Sequence, residues 1–306
     1  MAQESLPLIR IGTRASKLAL AQAEMVQHAL SVCHPHTRFE LAPMLTTGDR
    51  VTDRALAEIG GKGLFAKELD EALLRGNIHL CVHSAKDMES IIHSEIEFVA
   101  ALPREDNRDV FISASGTAFH HLPQGAVLGT ASVRRAAQAL MQRPDLRICI
   151  LRGNVPTRIE KIRRAEADGT FLALAGLKRL GLEAQATEIL DRVHFLPAAC
   201  QGIIGLTCRK DDEATRRLLT PLNHSETFAA ATAERAVLAA LDGSCRTPIA
   251  AWARVEDGGL KLNAALYALD GREHYSVERT GSLTDADTLG QSAGEELLSL
   301  GRHLLP

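Results

Sequence analysis

A chain of 306 residues, 45% hydrophobic and 24% charged, has the composition of a globular protein and is long enough for two or three domains of roughly 100–200 residues each. A formal net charge of -3 excludes the global positive field that gathers nucleic acid or acidic membrane. Aromatic residues, at 4%, are too few for a base-stacking surface.

The first ten residues carry Glu4, Pro7 and Arg10 instead of an apolar signal core, so no leader is expected. Leu8 to Ile11 then reads as a short strand and Ser16 to Leu30 as a helix. At their junction stands Gly12-Thr13-Arg14-Ala15-Ser16. Backbone N–H groups at a helix start, a hydroxyl and a guanidinium make an anion receptor. A capped helix with a surface arginine accounts for the same residues equally well. Phe39, Leu41 and Leu45 alternate in a second strand. Leu64, Phe65, Leu69, Ala72 and Leu73 mark one face of a helix stopped by Gly76. Before it, Gly60-Gly61-Lys62-Gly63 lacks the G-x-x-x-x-G-K-[ST] spacing of a phosphate loop, and three glycines in four residues describe a mobile flap better.

Ile78 to Val82 is a further strand, and His83-Ser84-Ala85-Lys86-Asp87 follows it directly. A Lys-Asp pair is often a solvated turn. Aimed into a cleft, its carboxylate stabilises a developing cation or shuttles a proton. Ala126 to Leu128, Ile148 to Ile150 and Phe171 to Ala173 repeat the strand theme, each before a helical pattern. Alternation of this kind predicts α/β layers with mostly parallel strands, whose ligands sit where strand ends lead into helices. Two such ends carry Thr130-Ala131-Ser132-Val133-Arg134-Arg135 and Arg152-Gly153-Asn154-Val155-Pro156-Thr157-Arg158, with Pro156 suited to a first helical turn. With Arg14, three strand ends offer guanidinium forks, which implies a ligand bearing several carboxylates or phosphates.

After Pro221 the pattern changes. Ser225 to Leu241 is an Ala-rich helix. Glu256-Asp257-Gly258-Gly259 and Asp270-Gly271 are turns of a small antiparallel sheet, and Asp285 to Leu305 is a closing helix. Between helix and sheet lies Gly243-Ser244-Cys245-Arg246-Thr247-Pro248, a thiol beside an arginine. The other cysteines, Cys33, Cys81, Cys149, Cys200 and Cys208, are scattered without C-x-x-C pairs or zinc-like spacing, so no metal and a reduced, cytoplasmic protein are expected.

These clusters together resemble the porphobilinogen deaminases over nearly the whole chain. The resemblance rests on Gly60 to Phe65, His83 to Asp87, Arg104-Glu105-Asp106 with Arg108-Asp109, Gly129 to Arg135 and Leu151 to Arg158. It continues through Leu172 to Gly181, Leu196 to Gly202, Thr232 to Ala236 and the Cys245 loop. It implies two α/β lobes, like those of a periplasmic binding protein, around a cleft, plus a C-terminal α+β domain with a small antiparallel sheet. The implied ranges are 1–103 with 197–220, 104–196, and 221–306. The implied activity is a transferase that condenses four porphobilinogen molecules into hydroxymethylbilane, with loss of ammonia, on a dipyrromethane cofactor joined through a thioether to Cys245.

By the same resemblance Asp87 is catalytic, and Lys86, Asp87, Ser132, Arg134, Arg135 and Arg152 hold the cofactor. Arg14, Ser16, Arg152, Arg158 and Arg179 bind substrate carboxylates, and Lys62 belongs to a lid. A monomer without nucleic-acid or membrane partners is implied. The chain departs from the family pattern at Lys17, Ala85, Met88-Glu89, Ala131, Pro156, Cys200 and Ser244, none of which removes a charged or nucleophilic group. A solute-binding module of the same architecture is the rival reading, and it requires no covalent adduct.

Overall fold

The computed structural model describes residues 7–50, 66–243 and 247–305. Strand β1 (Leu8–Arg14) leads into helix α1 (Lys17–Cys33) and strand β2 (Arg38–Met44), which pairs in parallel with β1 from Leu8 opposite Arg38 to Arg14 opposite Met44. The helix starts where it does because Ser16 caps it: the Ser16 hydroxyl accepts from the Ala19 N–H at 3.3 Å, a bond worth about 1 kcal/mol. Ala23, Val26 and Leu30 recur at helical spacing and pack on Ile11, Leu80 and Leu206 of the sheet. Helix α2 (Lys67–Leu74), strand β3 (Leu80–Ser84) and strand β4 (Ile96–Ala101) follow. The expected start of that helix at Leu64 and Phe65 lies outside the described residues.

The chain then crosses to a second sheet, built from β5 (Asp109–Ser113), β6 (Val127–Gly129), helix α3 (Val133–Gln142), β7 (Arg147–Cys149), helix α4 (Val155–Arg163), β8 (Gly169–Ala173), helix α5 (Leu174–Arg179) and β9 (Glu188–Ile189). Phe111, Phe119, Phe171 and Phe195 form its aromatic core, with ring centroids 4.7 to 5.6 Å apart in contacting pairs. Each buried ring contributes about 1.5–3 kcal/mol. A return crossing delivers β10 (Ile204–Arg209) back to the first sheet. The orders are β2-β1-β3-β10-β4 and β7-β6-β8-β5-β9.

The strands are mostly parallel, as expected, but one strand in each of these sheets is reversed. β1–β2, β1–β3, β6–β7 and β6–β8 are parallel, but β10 is antiparallel to β3 and β4, and β5 is antiparallel to β8 and β9. The reason is the crossing itself. β5 and β10 are the first strands after a passage between sheets, so they enter at the end where β8 and β3 leave.

Helices α6 (Glu213–Leu219) and α7 (Ser225–Ala240) lead to a three-stranded meander, β11 (Ile249–Glu256), β12 (Gly259–Tyr267) and β13 (His274–Gly281), covered by helix α8 (Ala286–Gly301). α7 starts at Ser225, as expected, and its cap is His224, whose ring accepts from Thr227 N–H. This unit packs on both lobes. Ala231 of α7 sits with Ala85, Met88 and Ile203 of the first, and Ala250, Ala265 and Tyr267 sit against Ala137 of α3 in the second.

The two crossings run side by side. Glu105 N–H donates to Gly202 O at 3.2 Å, and a Cβ on Gly202, at φ +88°, would lie 2.4 Å from the Glu105 carbonyl oxygen. Glu234 of α7, fully buried, ties them to the C-terminal unit: it pairs with Arg104 at 2.6 Å and accepts from the backbone N–H groups of Cys200 and Ala253.

Candidate active site

In the first lobe, β1 ends on Arg14, and the Ser16 cap places the start of α1 beside it. Strand β3 runs into a single 3-10 turn, Ala85–Asp87, because Ala85 is held by its N–H to Ile203 O at 3.0 Å and by burial in the core. The turn presents Lys86 and Asp87 next to Arg14. Arg14 Nη1 meets Asp87 Oδ2 at 3.3 Å, and the Asp87 side chain keeps 34% of its surface exposed. A recess opens here, lined by Arg14, Ser16, Gln22, His83, Ser84 and Asp87 among others. His83 is held neutral: burial, reinforced by Arg235 and Arg14, pushes its pKa down to about 4.

The second lobe supplies the other wall. Ser132 caps α3, accepting from Arg135 N–H at 3.4 Å. Arg134 and Arg135 then turn inward onto Asp109, which is fully buried at the start of β5. Arg134 donates to Asp109 Oδ2 at 2.8 Å and to Leu196 O at 2.7 Å; Arg135 donates to Asp109 Oδ1 at 2.6 Å and to Phe171 O at 2.9 Å. Burial works to raise the Asp109 pKa, but Arg134 and Arg135 outweigh it and hold the carboxyl at about 2. Asn154 caps α4 with Pro156 in its first turn, as expected, and the loop before it carries the buried Arg152. Arg158, on α4, donates to Gly153 O at 2.7 Å.

Gln201, from the return crossing, joins the walls. Lys86 Nζ donates to its Oε1 at 3.2 Å, and its Nε2 donates to Asn107 O at 2.8 Å and to Asp109 Oδ1 at 3.2 Å. Arg179 lies by the crossings, donating to Gly202 O at 2.6 Å, and its neighbour Lys178 pairs with Glu105 at 2.8 Å.

The electrostatics suit an anion receptor. Arg14, Lys86, Arg134, Arg135, Arg152 and Arg158 stand close together, with Asp87 and Asp109 among the carboxylates that act on them. Lys86 is pushed down to about 8, first by loss of hydration and then by Arg135. Arg158 is pushed down to about 10, first by burial, then by Arg135; Asp87 acts on it in the opposite sense from the facing lobe. Neither has an ion pair with a described carboxylate. Cations left in that condition are completed by a polycarboxylate ligand.

The structure thus brings together the predicted Arg14, Ser16, Lys86, Asp87, Ser132, Arg134, Arg135, Arg152 and Arg158, and sets Arg179 at the crossings. The predicted Lys62 and Cys245 lie outside the described residues. Sequence reasoning gave no role to Asp109, Gln201 or Gln22. For the first two a signal existed, since both stand in segments singled out above. Gln22 lies within an apolar helical pattern and gave none. Cys200, where the family commonly has Gly, takes a φ of 60°, the backbone region that favours glycine.

Comparison with known proteins agrees with this geometry. The family model "Porphobilinogen deaminase, dipyromethane cofactor binding domain" matches residues 9–217, and "Porphobilinogen deaminase, C-terminal domain" matches residues 228–299. Proteins named porphobilinogen deaminase from Nitrobacter hamburgensis and Nitrobacter winogradskyi are 46% and 47% identical over 292 residues, covering 95% of this chain and 92% of each relative. Among solved structures, the Bordetella pertussis BvgS periplasmic VFT2 domain aligns with 70% of this chain and 86% of its own, at TM-score 0.43 and 14% identity. A Salmonella typhimurium periplasmic binding protein with high arginine specificity aligns with 71% and 91%, at TM-score 0.41 and 12% identity.

Proposed function

The chain belongs to the porphobilinogen deaminase family, and from that premise we propose how its own residues carry the reaction. The protein is a transferase of tetrapyrrole biosynthesis that condenses four porphobilinogen molecules head to tail into hydroxymethylbilane, releasing ammonia. Its cofactor is dipyrromethane, which when bound supplies the pyrrole carbon from which the new chain grows.

The observation that carries the assignment of residues is the convergence of both lobes' cations around one partly open carboxylate, Asp87. Every pyrrole of the substrate bears an acetate and a propionate arm, so the receptor and the ligand match in charge and number. Arg14, Ser16, Arg152, Arg158 and Arg179 bind arms of the substrate and growing chain. Lys86, Ser132, Arg134, Arg135 and Arg152 hold the arms of the cofactor, Arg134 and Arg135 from a rim already braced by Asp109. Asp87 accepts pyrrole N–H groups on its carboxylate oxygens, stabilises positive charge that develops on the ring nitrogens, and moves the protons that leave them. Cys245 is the point of thioether attachment, and Lys62 belongs to a segment that covers the cleft.

The domains divide at 1–103 with 197–220, 104–196, and 221–306. Support comes from the paired crossings and from β10 lying inside the first sheet. The five described cysteines are free thiols, which favours a reducing, cytoplasmic setting. No described helix is long and apolar enough to cross a membrane, and the protein acts as a monomer.

Intact-mass measurement tests the attachment. Protein from cells that make porphobilinogen is expected to carry two added pyrrole units, and Cys245→Ala none. An adduct retained by Cys245→Ala moves the attachment elsewhere, and an unmodified wild-type protein removes it altogether.

A further inference from the structure

Gln22 stands one and a half turns into α1, 2% exposed. Its Oε1 accepts from Ser84 Oγ at 3.0 Å, and its Nε2 has no hydrogen-bond partner. A buried amide donor without an acceptor is uncommon and costly in a folded protein. Gln22 is one of the residues that line the recess holding Arg14, Ser16 and Asp87. The surroundings suit an anion. The first turn of α1 offers the positive end of its dipole. The Ser16 hydroxyl accepts from Ala19 N–H, which leaves its own proton free to donate. Arg14 brings a guanidinium to the same recess, and among the described residues the acid in its lining is Asp87, where Arg14 meets it.

We propose that Gln22 is a third donor, with Arg14 and Ser16, to one carboxylate arm of the incoming porphobilinogen, a reading that rests on this recess being a substrate site. Ser84 is then a positioning residue. By engaging Oε1 it leaves the N–H side of the amide for the arm, and it links Gln22 to the strand that leads into the turn carrying Asp87. The arm is fixed at one end of the recess while the ring nitrogen meets Asp87 at the other. Gln22 therefore acts on which pyrroles enter, through the length and charge of an arm, and leaves the proton chemistry to Asp87.

The test is binding to the cofactor-loaded protein, by calorimetry, of an unreactive pyrrole that keeps both acidic arms but carries methyl where porphobilinogen has its aminomethyl group. Gln22→Met, similar in size and unable to donate, is expected to bind it about tenfold more weakly. Gln22→Glu keeps an acceptor for Ser84 and sets a carboxylate against the arm, so it is expected to lose more. For one of two truncated pyrroles, lacking either the acetate or the propionate, wild type and Gln22→Met should bind alike, which identifies the arm. Both variants binding the full pyrrole within about twofold of wild type overturns the proposal. Should Gln22→Met fail to fold, Gln22→Glu decides alone. Arg14→Gln separates the levels: if it weakens binding and the Gln22 variants do not, only the role of Gln22 falls, whereas normal binding by Arg14→Gln removes the substrate recess itself.

Discussion

Each lobe sets an aspartate against arginine at the cleft, and the two arrangements are opposites. Asp109 in the second lobe has no exposed surface and accepts bonds from Arg134, Arg135 and Gln201. Asp87 in the first lobe keeps a third of its surface and one arginine contact, at 3.3 Å. A buried carboxylate engaged by three side chains can do little but hold its neighbours in place. A partly open one retains acceptor capacity for groups that arrive. The same pair of residue types is therefore a wall in one lobe and a working site in the other, and hydration and spare hydrogen-bonding capacity make the difference.

The sharpest way to break this comparison is Asp87→Asn. It removes the charge and keeps the shape, so turnover is expected to fall by about 10²–10⁴, while the urea midpoint stays close to wild type because the exposed Arg14 contact contributes little to stability. Near-normal turnover would end the role of Asp87. The converse experiment is Asp109→Asn. It strands two buried guanidinium groups and is expected to cost about 3–5 kcal/mol of stability, read as a lower urea midpoint. A variant as stable as wild type would show that the pairing is not a wall.

Acid sharpens the same contrast. The Asp109 pKa is lowered on folding, so its contribution is complete above the ordinary carboxylate range near pH 4 and is lost as pH falls toward about 2. Unfolding of wild type should therefore steepen over that window, and Asp109→Asn should flatten it. The smallest effect is at the other end of the scale. Lys86 is pushed down to about 8, so its hold on the cofactor's arms should weaken and assembly of the cofactor on the apoprotein should slow severalfold as pH passes about 8. Because burial disfavours the charged form, the fold itself gains stability between about pH 8 and the ordinary lysine value. Lys86→Arg should carry that slowing to higher pH; an assembly rate that is flat from pH 7 to 9 would free Lys86 from the cofactor's carboxylates.

Much of this was legible in the chain. The Ser16, Ser132 and Asn154 caps, Pro156 in a first turn, and the placing of polar clusters behind strands all follow from local rules, because a cap bonds to an N–H three residues away. The direction of β5 and β10 did not follow from such rules. A strand's hydrophobic pattern reads the same in a parallel or an antiparallel ladder, and only the crossings decided which way these two entered. The unpartnered amide of Gln22 was equally hidden, since the residue sits among the apolar positions of α1 and its meaning depends on Ser84 in another strand.

By itself the sequence determined the layered α/β alternation, the antiparallel C-terminal sheet, the family, and an excess of guanidinium at strand ends, since these depend on composition, periodicity and order along the chain. Tertiary structure alone decided which arginines are braced by a buried carboxylate and which stand beside an open recess. That outcome depends on which carboxylate folding brings within reach and on whether water can follow it there. Asp109 finds Arg134 and Arg135 in a dry interior, Asp87 remains beside an open recess, and no pattern of neighbours in the chain distinguishes the two.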